Sequence, residues 1–190
     1  VFKRDWRTIF DIDYGDVQWS ETGEYLNEES FTQYQATQPN GQVMHHYVKE
    51  PWIQQAIKEP GVIIVSDLLP GSTPEQKVAP HIGAFSKILG KYVRQEKLLT
   101  LNEAINKMTL LPAKRLEMIA PQFSKKGRLQ VGADADITIF DPKTIIDHAS
   151  YESPLSVSSG VRYVLVNGAV VLNDGDVAVG SYPGKFLSAP

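Results

Sequence analysis

The sequence predicts an α/β segment followed by a smaller antiparallel β segment. Three observations support this. Val62-Ile63-Ile64-Val65 is an unbroken apolar run behind a helical stretch, the pattern of a parallel strand covered on both faces. The run from Ile137 to Phe140 is β-branched and aromatic, bounded by Asp136 and by Asp141-Pro142, which suits a pleated strand between bends. Asn167-Gly168 separates two branched runs at 161–166 and 169–172, the turn chemistry of a two-residue hairpin.

In chain order, residues 1–25 interleave Trp6, Ile9, Phe10, Ile12, Tyr14, Val17 and Trp19 with acids and predict irregular strand or loop. Asn27 is placed to cap a helix whose first turn holds Glu28 and Glu29, with Leu26 able to staple onto Phe31. Pro39-Asn40-Gly41 ends it in a turn. Residues 43–47 read as a strand and 51–58 as a helix with Pro in its first turn. With the apolar run 62–65 these make one βαβ unit, which leaves Ser66-Asp67 at the carboxyl end of the second strand. A Pro- and Gly-rich loop is expected over 68–80. Ile82, Phe85, Ile88, Leu89, Tyr92 and Val93 share a helical face, while Lys87, Lys91 and Arg94 form a basic stripe read as solvated. Thr100-Leu101-Asn102-Glu103 is a capping box ahead of Leu101, Ala104, Ile105 and Met108 at helical spacing. Pro112 opens a further short helix, broken at Ala120-Pro121. Gly127 and Gly132 punctuate the approach to the 137–140 strand, residues 144–151 are ambiguous, and Asn173-Asp174-Gly175 is another turn before a surface tail.

The 190 residues suffice for one domain with a real core, or one and a half. Hydrophobic content of 42% and charged content of 22% are those of a globular chain. A net charge of −3 gives no electrostatic footprint for nucleic acid, and no apolar run is long enough to predict a membrane span. The absence of cysteine excludes disulfides and thiolate metal ligation. Without a secretory h-region at residues 1–5 the expected compartment is the cytoplasm.

Asp67 is the first chemical candidate. A carboxylate following a buried apolar strand needs compensation by a metal or by hydrogen bonds, so position alone leaves it either an acid–base group or a capping residue. His45 and His46 are adjacent on a predicted strand and point to opposite faces, so they cannot chelate one ion together. His81 follows the loop after Asp67 and can reach substrate or cap the surface, and His148 lies near a turn and is read as exposed. Zinc takes three or four ligands, and neither HExxH nor His-x-His is present.

The segment 125–142, KKGRLQVGADADITIFDP, resembles the start of the small β-domain that follows the barrel in metal-dependent amidohydrolases. Ser66-Asp67, LGKYVR at 89–94, LNEAINKMTLLPAKRLE at 101–117 and VLVNG at 164–168 extend the resemblance to the D-aminoacylase branch, the N-acyl-D-amino acid deacylases. That resemblance implies the last βα units of a (β/α)₈ barrel over 1–120 and a small antiparallel β-sandwich subdomain over 121–190. It also implies zinc-dependent hydrolysis of an N-acyl amino acid in the complete enzyme. Asp67 is the one position that carries over, as catalytic base and metal ligand; His81 and His46 are expected substrate contacts from their places after Asp67 and on the 43–47 strand, against the plainer reading of a capping and a strand histidine. Relatives tend to carry His-Pro-Arg where this chain has Val78-Ala79-Pro80 followed by His81. The isolated chain is expected to be inactive, to bind zinc weakly or not at all, and to self-associate or pair with a missing amino-terminal portion. The alternatives are another amidohydrolase, acting on a cyclic amide or by deamination, and a non-catalytic truncated piece or subunit.

Overall fold

A computed structural model describes residues 6–68 and 81–188. The expected loop over 68–80 therefore falls, Leu68 apart, outside the described residues, as do Val78-Ala79-Pro80. The chain divides into two compact units. The first takes in the described parts of Val1–Gln55, Asp67–Ile82 and Ala149–Ser156; the second takes in those of Ala56–Ser66, Gly83–His148 and Val157–Pro190.

The first unit opens with a short helix, α1 (Trp6–Phe10), and a 3₁₀ turn at Tyr14–Asp16, more ordered than the irregular segment expected there. The Asp13 carboxylate accepts from Tyr14 N–H at 2.8 Å and fixes the entry to that turn. Strand β1 (Val17–Trp19) follows, then helix α2 (Glu28–Thr37). Asn27 caps α2 as its residue type dictates: its Oδ1 accepts from Ser30 N–H at 2.9 Å, and Ser30 Oγ accepts from Asn27 N–H at 3.0 Å. Leu26 and Phe31, the expected staple, are both buried in one cluster with Ile12, Val17 and Trp19. Trp19 stacks on Tyr34 at 4.2 Å between ring centroids. Strand β2 (Val43–His45) is shorter than expected and pairs antiparallel with β1, in the register Val17–His45 and Trp19–Val43.

That pairing corrects the βαβ reading. Helix α3 (Glu50–Lys58) forms where expected, but β2 belongs to an antiparallel ribbon, and the 62–65 run takes no strand partner among the described residues. Ile64 N–H instead bonds Lys107 C=O at 3.1 Å. A parallel strand needs a neighbour at its edge, and β-branched composition alone cannot supply one.

In the second unit α4 (Ala84–Lys87) runs directly into a π-helical stretch, Ile88–Gln95, with Ile88, Leu89 and Tyr92 buried. The basic stripe is only partly solvated. Arg94 turns inward and donates to Ile145 C=O at 2.5 Å and Pro142 C=O at 3.3 Å, because Gly90 lets the chain at Ile145 approach this helix closely. Helix α5 (Leu101–Met108) begins at the Thr100 capping box, with Thr100 N–H donating to Glu103 Oε2 at 2.7 Å. Helix α6 (Leu110–Glu117) follows at once, then a 3₁₀ turn at Pro121–Lys125.

The rest of the unit is a four-stranded antiparallel meander: β3 (Ile137–Phe140), β4 (Val161–Val166), β5 (Ala169–Asn173) and β6 (Asp176–Val177), paired in chain order. Both tight turns use positive φ at their two central residues: Asn167 and Gly168 between β4 and β5, Asp174 and Gly175 between β5 and β6. The segment before β3 is stapled to this sheet. Lys126 Nζ lies 3.0 Å from Asp134 and 2.5 Å from Asp136, and Asp136 Oδ1 accepts from Asn167 N–H at 2.8 Å. These bonds hold the Asp136 carboxyl below its usual range, the Asn167 N–H being the largest cause and Lys126 the next. No described helix is long and apolar enough to cross a membrane.

Candidate functional site

Asp67, His81, His45 and His46 all fall in the first unit. Asp67 ends the segment that leaves the 62–65 run and is exposed. Its backbone is left-handed, with φ 52°. Asp tolerates this region better than most residues, yet a non-glycine residue held there costs on the order of 1 kcal/mol. Something must therefore compensate the turn. His81 Nδ1 lies 3.0 Å from the Asp67 main-chain oxygen, fourteen positions away in sequence.

A carbonyl oxygen only accepts, so His81 Nδ1 carries the proton in this bond. In the neutral ring Nε2 is then left with its lone pair, an acceptor on the other side of the ring. The Asp67 side chain is not consumed by this contact, because its main chain makes it.

His46 stands just past β2, and its tautomer is fixed as firmly. Gln18, buried in β1, donates its amide Nε2–H to Gly23 C=O at 2.6 Å. That orients Gln18 Oε1 toward His46 Nε2, 3.1 Å away, so His46 Nε2 is the donor and Nδ1 the acceptor. Tyr151 meets the His46 ring edge-on at 4.6 Å and Tyr25 lies tilted against it at 5.3 Å. Burial is the largest influence on the His46 imidazole and pushes its pKa down; Asp16 opposes this and Lys49 adds to it. His45, whose ring lies 5.9 Å from that of Phe10, is likewise pushed down, first by burial and then by the charge of His46. The two imidazoles thus have different aromatic neighbours.

Sequence reasoning did not foresee Gln18, Tyr25 or Tyr151 around His46, nor the bond between His81 and the Asp67 carbonyl. Only the tolerance of Asp for left-handed backbone hinted at the turn. His148 is exposed as expected, with Nε2 2.9 Å from Ser159 Oγ. Among the described residues no three His, Asp or Glu side chains gather as a metal-holding group. Asp67 and the imidazoles present do not by themselves fit a tetrahedral zinc site, which takes three or four converging ligands.

A motif pattern common to the amidohydrolase family matches residues 53–172. The chain belongs to the amidohydrolase family. It is 34% identical over 152 residues to the D-aminoacylase of Alcaligenes xylosoxydans xylosoxydans, covering 80% of this chain and 29% of that protein. It is 45% identical over 89 residues to the N-acyl-D-glutamate deacylase of the same organism, covering 47% of this chain and 17% of that protein. In structure it is similar to the N-acyl-D-glutamate deacylase of Bordetella bronchiseptica, solved with zinc and a phosphonate mimic of the tetrahedral intermediate. That match has a TM-score of 0.74 at 31% identity and covers 93% of this chain and 38% of the other. The chain thus spans between 17% and 29% of these curated relatives and 38% of the solved deacylase.

Proposed function

We propose that this chain serves a hydrolase that cleaves the C–N amide bond of N-acyl-D-amino acids. The observation that carries the reading is the similarity to D-aminoacylase over 80% of the chain. The relatives are longer, so the reading is of a longer enzyme in which residues 1–120 complete a (β/α)₈ barrel and 121–190 form its β-subdomain. Zinc, named with the Bordetella deacylase, is the metal proposed for it. Asp67 is the one residue of this chain proposed to face that metal, with the remaining ligands proposed to come from outside this chain.

Within this chain the chemistry is a proton transfer at Asp67. Its carboxylate takes a proton as water attacks the amide carbon, then returns it to the departing nitrogen as the C–N bond breaks. His46 Nδ1 and His81 Nε2, each left as an acceptor by the bond on the opposite ring nitrogen, are proposed as substrate contacts.

Asp67→Asn in the longer enzyme tests this. Asn keeps the shape and the tolerance for left-handed backbone but cannot take the proton. At equal zinc occupancy kcat should fall by about 10²–10⁴-fold, with KM changed less, since a base acts mainly in the transition state. Activity within about fivefold of wild type would reduce Asp67 to a capping residue, because that is far below the contribution of a general base.

A further inference from the structure

We propose that His81 is a positioning residue for Asp67: its Nδ1–H bond to the Asp67 carbonyl holds the left-handed turn that presents the carboxylate. This rests on the reading of Asp67 given above. Two observations meet here. Asp67 has a backbone conformation that a side-chain-bearing residue seldom adopts, with φ 52°. The atom that sets the orientation of its following peptide is the acceptor of a bond from an imidazole fourteen positions along the chain. Rotating Asp67 into ordinary backbone would carry that carbonyl away from His81 and swing the carboxylate with it. The histidine therefore acts on the reacting group through the main chain and leaves the carboxylate oxygens free for chemistry. A ring, moreover, holds its donor at a fixed place, whereas a flexible ammonium would not.

Two amides separate this role from the substrate contact proposed at Nε2, because Asn can place an N–H where His carries the Nδ1 donor and Gln can place its amide oxygen where His carries the Nε2 acceptor. In the longer enzyme His81→Ala should lower kcat about tenfold, which is about 1.4 kcal/mol of transition-state stabilisation. His81→Asn should recover most of that loss and His81→Gln little of it. The Asn–Gln contrast decides the matter even if the Ala variant fails to fold. Equal activities of Asn and Gln, recovery by Gln instead of Asn, or wild-type kcat in Ala would each overturn the positioning role. Asp67→Asn, assayed alongside, separates the two layers. If it loses activity while Asn and Gln at position 81 are equal, the positioning role alone is wrong; if it stays fully active, both readings are wrong.

Discussion

The two units of this chain hold their shape by different means. In the second unit the sheet is a meander whose strands pair with their sequence neighbours, through turns of two residues at Asn167-Gly168 and Asp174-Gly175. In the first unit β1 and β2 are three residues each, and the candidate site residues are set by contacts at long separation: His46 with Gln18 across 28 positions, His81 with Asp67 across fourteen. Local pairing yields a rigid scaffold whose charged groups, such as Lys126 and Asp136, are spent on each other. Long-range placement leaves ring nitrogens with one side committed and the other available. The scaffold should thus be sensitive to backbone fit and indifferent to mild pH change, and the first unit the reverse.

The largest effect expected on stability is in the second unit, at Gly160. Its φ is +89°, and a Cβ there would stand 2.4 Å from Ile145 Cα and 2.5 Å from Ile145 N. These are backbone atoms that cannot swing aside. Overpacking costs about 1–3 kcal/mol and the forced positive φ adds about 1 kcal/mol, so Gly160→Ala should cost roughly 3 kcal/mol. Hydrogen exchange at β4 and β5 amides should accelerate accordingly. Unchanged protection there would show that the chain at Ile145 yields, and that the scaffold is less rigid than its packing implies.

A smaller loss should follow from Lys107, which is 4% exposed on α5. Its ammonium donates to the carbonyl of Glu59, just beyond α3, and to that of Val62 at 3.4 Å. A cation suits the carbonyls at the end of a helix, and here it adds to the Val62 N–H that Glu59 C=O already accepts at 3.2 Å. Lys107→Met keeps most of the stem and removes the donor, so it should cost about 2 kcal/mol, the value of hydrogen bonds to a buried charged group. Urea denaturation of wild type and variant measures it. A variant as stable as wild type would mean that burying the charge cancels its bonds.

These two positions also show which features were legible in sequence. Strand β3, strand β4 and the Asn167-Gly168 turn were legible because branched runs and turn residues act on their immediate neighbours. The caps at Asn27 and Thr100 were legible for the same reason. The parallel strand expected at 62–65 was not found, since composition states that a segment suits a strand but not which edge it meets. Arg94 read as solvated because nothing near it in sequence reveals that residues 142–145 pass close by. Lys107 gave no warning, as its partners lie 45 and 48 positions away. In the candidate site, Asp67 and His81 could be singled out by residue type and place. That the ring of one meets the main chain of the other could not, because it depends on a left-handed turn.

The smallest effect expected is the pH response of the first unit. The pKa values of His45 and His46 are pushed down, in both cases chiefly by burial. The folded unit therefore prefers both rings neutral, while the unfolded chain takes up protons near the ordinary value of 6.5. Below that value the unfolded state binds more protons than the folded one, so stability falls as pH drops from 6.5 toward the lowered folded values and is fully present above it. The comparison is best made between pH 7.5 and about 5.5, above the carboxylate range, so that Asp16 stays ionised beside His46. The chain's three tryptophans, Trp6, Trp19 and Trp52, all belong to the first unit by sequence, so their fluorescence follows its unfolding in urea. The urea midpoint should be lower at the acidic pH, by less than either substitution above produces in the second unit. His46→Gln keeps a donor for Gln18 Oε1 and removes one titrating ring, so it should flatten the response. An equal drop in His46→Gln and wild type would assign the response to His45 alone. A midpoint that rises on acidification would contradict the burial of both imidazoles, and with it the contrast between the two units.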